Sequence, residues 1–183
     1  ELTWILYIVT LLSLFSFIKI NFFSFKNQKI ADFNNDIQIF DIRKILNGNM
    51  VAEGMIYGVS GQLSSTFTAR FNGAWDGNLG SFTEEFNFST GKEQLRKWNL
   101  SIDNDGNIVG TADDIIGKAT GKQIGSAVKL NYKLRLSDDL GGHVISVVDW
   151  MHLLENGTVF NRSEFRKFGV RVGELVATFR KEL

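Results

Sequence analysis

The sequence predicts an all-β fold: a single up-and-down antiparallel barrel, lipocalin-like, of about eight to ten strands, preceded by an N-terminal hydrophobic helix. Three observations predict it. From Met50 onward apolar and polar residues alternate with period two, as half-buried strands require. Turn residues interrupt that alternation at short intervals, so neighbouring strands are joined by tight turns rather than crossovers. No stretch beyond Met50 sustains a helical period.

The elements follow in chain order. Leu2 to Ile18 carries no charge and, as a helix rising 1.5 Å per residue, would run about 25 Å, so residues 1–20 read as a transmembrane or signal-anchor helix. Lys19 and "INFFSF" follow it instead of a small-residue cleavage site. Lys19, Lys26 and Lys29 favour a cytoplasmic barrel by the positive-inside rule, and the orientation stays open at this point. Residues 21–40 read as a linker, and "FDIRKILNG" as a short helix ending at Gly48. Residues 41–183 form the barrel domain, with nine strands expected at 50–59, 63–73, 79–88, 93–103, 107–114, 122–136, 142–155, 158–168 and 170–181.

Composition removes several function classes. The 183-residue chain has 20 basic and 20 acidic residues, so it has no net field for a polyanion and shows no basic stripe for nucleic acid. It has no Cys, hence no disulfide or thiolate chemistry, and its two histidines, His143 and His152, argue against a His-built metal site. No cofactor is expected. The absence of Pro, with the richness in Asn, Ile, Lys and Phe, suggests an AT-rich bacterial genome.

Hairpin registers place the polar residues. A three-residue Ser89-Thr90-Gly91 loop, with Gly91 left-handed, keeps the phenylalanines of "FTEEFNF" on the same face as Trp98. Phe82 then faces Trp98, and Glu84 faces Arg96. A two-residue Asp105-Gly106 turn pairs Ile102 with Val109 and Trp98 with Asp113, bringing Asp113 diagonal to Arg96 on the inner face. A two-residue Asn156-Gly157 turn pairs His152 with Asn161 and Trp150 with Ser163. It points Trp150, His152 and Asn161 inward, and Asp149, Met151, Arg162, Glu164 and Arg166 outward. The candidate ligand-binding lining is therefore Glu84, Arg96, Trp98, Asp113, Trp150, His152 and Asn161.

Other motifs carry less. Asp113-Asp114 cannot both ligate one cation from a strand, because adjacent side chains point to opposite faces. "DNDGN" has its Gly two positions early for a calcium loop. The Gly110, Gly117, Gly121 and Gly125 series precedes no helix start, so it marks bends and bulges rather than a phosphate cradle. Glu84 and Asp113 lack any accompanying nucleophile–base arrangement that would make them catalytic.

The series "FTEEFNFSTGKEQLRKW", "GTADDIIGKATGKQIGSA", "DWMHLLENGTVFNR" and "KFGVRVGELVATFRK" resembles the bacterial domain of unknown function 3833 family from about Phe40 to Lys181. The carrying motifs are Glu84-x-Phe, Arg96-x-Trp98, Gly110-x-Ala-x-Asp114, Asp149-Trp-Met, Asn161-Arg162 and Lys167-Phe-Gly. Members resemble envelope lipoproteins. This chain departs in having no lipidation cysteine, a role its hydrophobic anchor would take, and in having Ser126 where the family tends to show Asn. The resemblance implies a domain at the bacterial envelope and no activity; the barrel is expected to be membrane-anchored and to face the periplasm, with the orientation open. Small barrels either fill with side chains or hold one ligand, so the expected partner is a lipid or other apolar small molecule. A filled structural module and an enzyme using buried carboxylates are the alternatives.

Overall fold

In the computed structural model, which describes residues 2–22 and 28–182, ten antiparallel strands follow one another around a closed barrel, the last pairing with the first. They are β1 (Gly48–Tyr57), β2 (Leu63–Asp76), β3 (Leu79–Phe88), β4 (Glu93–Ile102), β5 (Asn107–Thr111), β6 (Ala119–Ile124), β7 (Ala127–Arg135), β8 (Val144–Leu153), β9 (Val159–Lys167) and β10 (Val170–Lys181). Closure is made by β1 on β10, from Met50 opposite Lys181 to Tyr57 opposite Glu174. It removes both sheet edges, which would otherwise expose unpaired backbone groups. Ten strands fall within the expected eight to ten, one more than the nine placed along the sequence. The stretch 122–136, read as one strand, is β6 and β7, because Gly125 takes φ +51° and turns the chain with Ser126. Its missing Cβ is also required, since one would lie 2.0 Å from the Phe33 carbonyl oxygen.

One end of the barrel is plugged. Asp41 caps the short helix α2 (Ile42–Ile45) by accepting from the Arg43 N–H at 3.1 Å. Phe40, Ile42 and Leu46 are buried there. The plug is tied to the strands by Phe40 N–H to Gly125 O (2.7 Å), Ile42 N–H to Gln123 Oε1 (3.1 Å) and Trp75 Nε1–H to Leu46 O (2.8 Å). Gly73 permits the close approach, because a Cβ there would meet Leu46 O at 2.0 Å.

Ahead of the plug, residues 28–40 lie along the outside of the barrel. A 3-10 turn, Ile30–Phe33, contacts β6 and β7. Further back, helix α1 (Leu2–Phe22) exposes Trp4, Tyr7, Leu11 and Phe15 at more than 60% each. The expected transmembrane segment is not found: among the described residues, no helix is long and apolar enough to cross a membrane.

Two registers differ from expectation by one residue. The β3–β4 hairpin has the three-residue loop, with Gly91 at φ +83°, Phe82 opposite Trp98, and Glu84 opposite Arg96. The β4–β5 and β8–β9 hairpins use three-residue loops as well. Asp103 N–H donates to Asn107 O, and Leu154 N–H to Thr158 O, with Gly106 and Gly157 left-handed. Leu100 consequently faces Gly110, Met151 faces Asn161, and Trp150 faces Arg162. A one-residue slip turns every side chain of a strand to the other face of the sheet.

Candidate functional site: a polar patch inside an aromatic barrel

The barrel encloses a cavity of about 850 Å³. It runs from Leu46 at the plugged end to Thr90, Ser137 and Leu140 in the loops at the other. Its walls are largely aromatic. Phe71 packs edge-on against Phe82, Phe86 and Phe179 at centroid separations of 5.4–5.7 Å, and Phe86 stacks on Phe88. Ten strands make a wider tube than eight, the number whose interior side chains just fill, so space remains.

Arg96 crosses this interior to meet two carboxylates. Its Nε and Nη2 both donate to Asp114 Oδ2, at 2.8 and 2.7 Å, and Nη1 lies 3.6 Å from Glu84 Oε2. Trp98 Nε1–H donates to the same Glu84 oxygen at 3.2 Å. Asp114 reaches the site because the chain leaves β5 at Thr111 and pairs again above β6. There Ile115 bridges Leu134, and Arg135 N–H donates to Asp114 O at 2.8 Å. A second carboxylate centre faces it from β8. Asp149 Oδ1 accepts from Asn161 Nδ2 (2.6 Å) and Ser163 Oγ (2.7 Å), and Tyr132 Oη makes a long 3.4 Å contact with Oδ2.

Protein surrounds these groups, while the cavity leaves Arg96 and Glu84 a residual 15% side-chain exposure. Burial pushes the Glu84 and Asp149 carboxyls above their ordinary range, against the pull of Arg96 and of the donors to each. Burial, reinforced by Asp149, drives the Tyr132 phenol well above its usual value. For Arg96 burial works against the charge, but Glu84, Tyr132 and Asp114 outweigh it and raise the guanidinium further. Asp114 Oδ1 is buried without a hydrogen-bond partner among the described residues. The patch thus sets three carboxyl groups against one guanidinium. No group of three or more His, Cys, Asp or Glu among the described residues is spaced to hold a metal ion.

The structure brings Glu84, Arg96, Trp98 and Asn161 to this cavity and does not bring the other three expected residues. Asp113 faces solvent, because the longer β4–β5 loop shifts β5 by one residue and delivers Asp114 in its place. Trp150 and His152 lie on the outer wall for the same reason, while Asp149 and Met151, expected outside, line the cavity. Trp150 is nonetheless fully buried. Phe33 packs on it at 5.9 Å, His152 stacks on it, and Lys129 Nζ sits 5.1 Å from its ring centre. His152 Nε2 lies 2.9 Å from Gln28 Nε2, and burial lowers its pKa despite nearby Asp36. Arg162 stays outside as expected, paired not with Asp149 but with Glu174, which Arg171 also meets at 2.8 Å. The sequence reading missed Asp114, Tyr132, Asp149 and Ser163. The conflict of faces that exposed the three-residue loop in β3–β4 has no counterpart in the other two hairpins, whose strands are apolar in either register.

Comparison with curated protein sequences finds no match. Among solved structures, the fold is similar to "Crystal Structure of Rv2717c from M. tuberculosis", with a TM-score of 0.54 and 13% identity over 76% of this chain and 94% of that one. At that identity the likeness is one of fold. The profile of a family described as "Protein of unknown function (DUF3833)" matches residues 19–181, reaching further toward the N-terminus than the motifs above and taking in the segment that packs on Trp150. On that match the chain belongs to the DUF3833 family.

Proposed function

We propose that this protein is a lipocalin-like carrier that holds one apolar or amphiphilic small molecule inside its barrel. We place it at the membrane of the bacterial envelope, facing the periplasm, with α1 lodging its apolar surface in the lipid. The observation that carries the binding reading is the cavity, whose volume of about 850 Å³ lies within the range of small-molecule sites, roughly 300–1,000 Å³. A barrel acting only as a structural module has no need of such a volume.

The test is a fluorescence titration of the full chain with N-phenyl-1-naphthylamine, an uncharged apolar dye. Leu175 lines the cavity from β10, opposite Ser163, and Leu175→Trp fills part of it. Saturable binding should weaken at least about tenfold in that variant while the melting temperature stays near that of the parent. Equal dye affinity in the two proteins, or no saturable binding to the parent, would rule the carrier reading out.

A further inference from the structure

The polar patch also has a sign. If the cavity holds a ligand as proposed above, we infer that the ligand's polar end is a cationic hydrogen-bond donor, an amine on an apolar body, and not a carboxylate or phosphate.

The argument begins with what Arg96 has left to offer. A fatty-acid site needs a guanidinium with donors free to grip a carboxylate in a fork. Two of the five Arg96 N–H donors, on Nε and Nη2, go to Asp114 Oδ2, and Nη1 stands 3.6 Å from Glu84, so the donors that remain lie between two carboxylates. An incoming anion at those donors would lie against Glu84 and Asp114, where the protein screens like charges poorly. It would also bring a fourth acidic group to a patch that has three acids and one base.

A cation meets the opposite situation. Asp114 Oδ1 is buried with no donor, and Glu84 Oε1 accepts no hydrogen bond among the described residues. Asp149 Oδ2 has only the long Tyr132 contact on the cavity side. Tyr132 lies within electrostatic reach of Asp149, Arg96, Glu84 and Asp114 together, so the acidic groups surround one region of the cavity. Burial raises the Glu84 and Asp149 carboxyls, and a positive charge placed among them favours their ionised form, as Arg96 already does in part. The surrounding Trp98, Phe82 and Phe86 rings accept cations on their faces as well as apolar chains. At the rim, Lys92 is already held by Asp139 at 2.8 Å, and among the described residues Arg135 is the remaining cation lining the cavity.

Competition against the dye separates the cases, using the full chain at pH 7 with dodecylamine, dodecanol and dodecanoate below their micelle concentrations. Dodecylamine should displace the dye with at least about tenfold higher affinity than dodecanoate. Glu84→Gln and Asp149→Asn should each narrow that gap by weakening dodecylamine binding. Dodecanoate binding as tightly as the amine, whether through Arg135 or elsewhere, overturns the inference and leaves the carrier reading standing. An amine preference that survives both substitutions also overturns it, by placing recognition outside the patch. If the dye binds saturably but none of the three compounds displaces it, the head-group inference falls and the dye's own site must be reconsidered. The parent ranking decides the matter even if a variant fails to fold.

Discussion

Arg96 carries a full charge into a tube of phenylalanines because Asp114 and Glu84 meet it there. Its side chain is 15% exposed and that of Asp114 is 25%, so solvent screens the pair only in part. Removing one partner of such a pair costs more than the pair itself contributes, since the remaining charge stays desolvated. Asp114→Ala should therefore lower unfolding stability by about 2–3 kcal/mol, the smaller part of the range for broken buried pairs because Glu84 still faces Arg96. Asp113→Ala, one residue away on the solvent side, should change it by no more than about 0.5 kcal/mol. Urea denaturation of the two variants gives the comparison, and equal losses would mean that the β4–β5 register described here is incorrect. The neighbouring sequence offered Asp113 and Asp114 equally. Glu84, Arg96 and Trp98 were legible because their hairpin admitted one loop length; the choice between two adjacent aspartates depended on a loop that admitted two.

The three hairpins β3–β4, β4–β5 and β8–β9 share a device, a three-residue loop whose last residue is a left-handed glycine. Gly157 sits at φ +81° with open space where a Cβ would go, so Gly157→Ala should cost only the backbone penalty, about 1–2 kcal/mol. Gly106→Ala should cost more. There a Cβ would also come within 2.8 Å of the Gln123 carbonyl oxygen, a backbone atom held by its own strand. Thermal unfolding of both variants orders the two, and an equal loss would show that contact to be irrelevant. The same strands show why face assignment fails from sequence in β8. A strand covered on both sides loses its alternation. β8 is such a strand, with Val147, Met151 and Leu153 buried inward and Trp150 buried outward beneath Phe33. β3 keeps its solvent face and was readable.

Across the molecule, the ten strands, the α2 plug and the cavity form one unit, and α1 presents apolar side chains on all sides over Trp4–Phe15. Apolar surface of that extent on an isolated helix is stabilised by lipid. On the proposed membrane attachment, the parent should sediment with membranes on fractionation and the double substitution Ile8→Lys, Leu12→Lys should move it to the supernatant with the barrel's melting temperature unchanged; a parent in the supernatant, or continued sedimentation of a folded variant, would rule out attachment through α1. The sequence by itself determined the all-β class, the antiparallel barrel, most of its turns and the α2 helix. Those follow from period-two patterning and from glycines that only certain turns tolerate, both local properties. Tertiary structure alone decided two things: that the segment before Phe40 covers the outer face of β8, and that Asp114 and Asp149 join Glu84 and Arg96. Each depends on contacts between residues far apart in the chain, and on a one-residue register choice between two arrangements that bury nearly the same apolar surface. Local patterning cannot separate such arrangements, whereas a closed barrel, in which every strand must match two neighbours at once, admits only one.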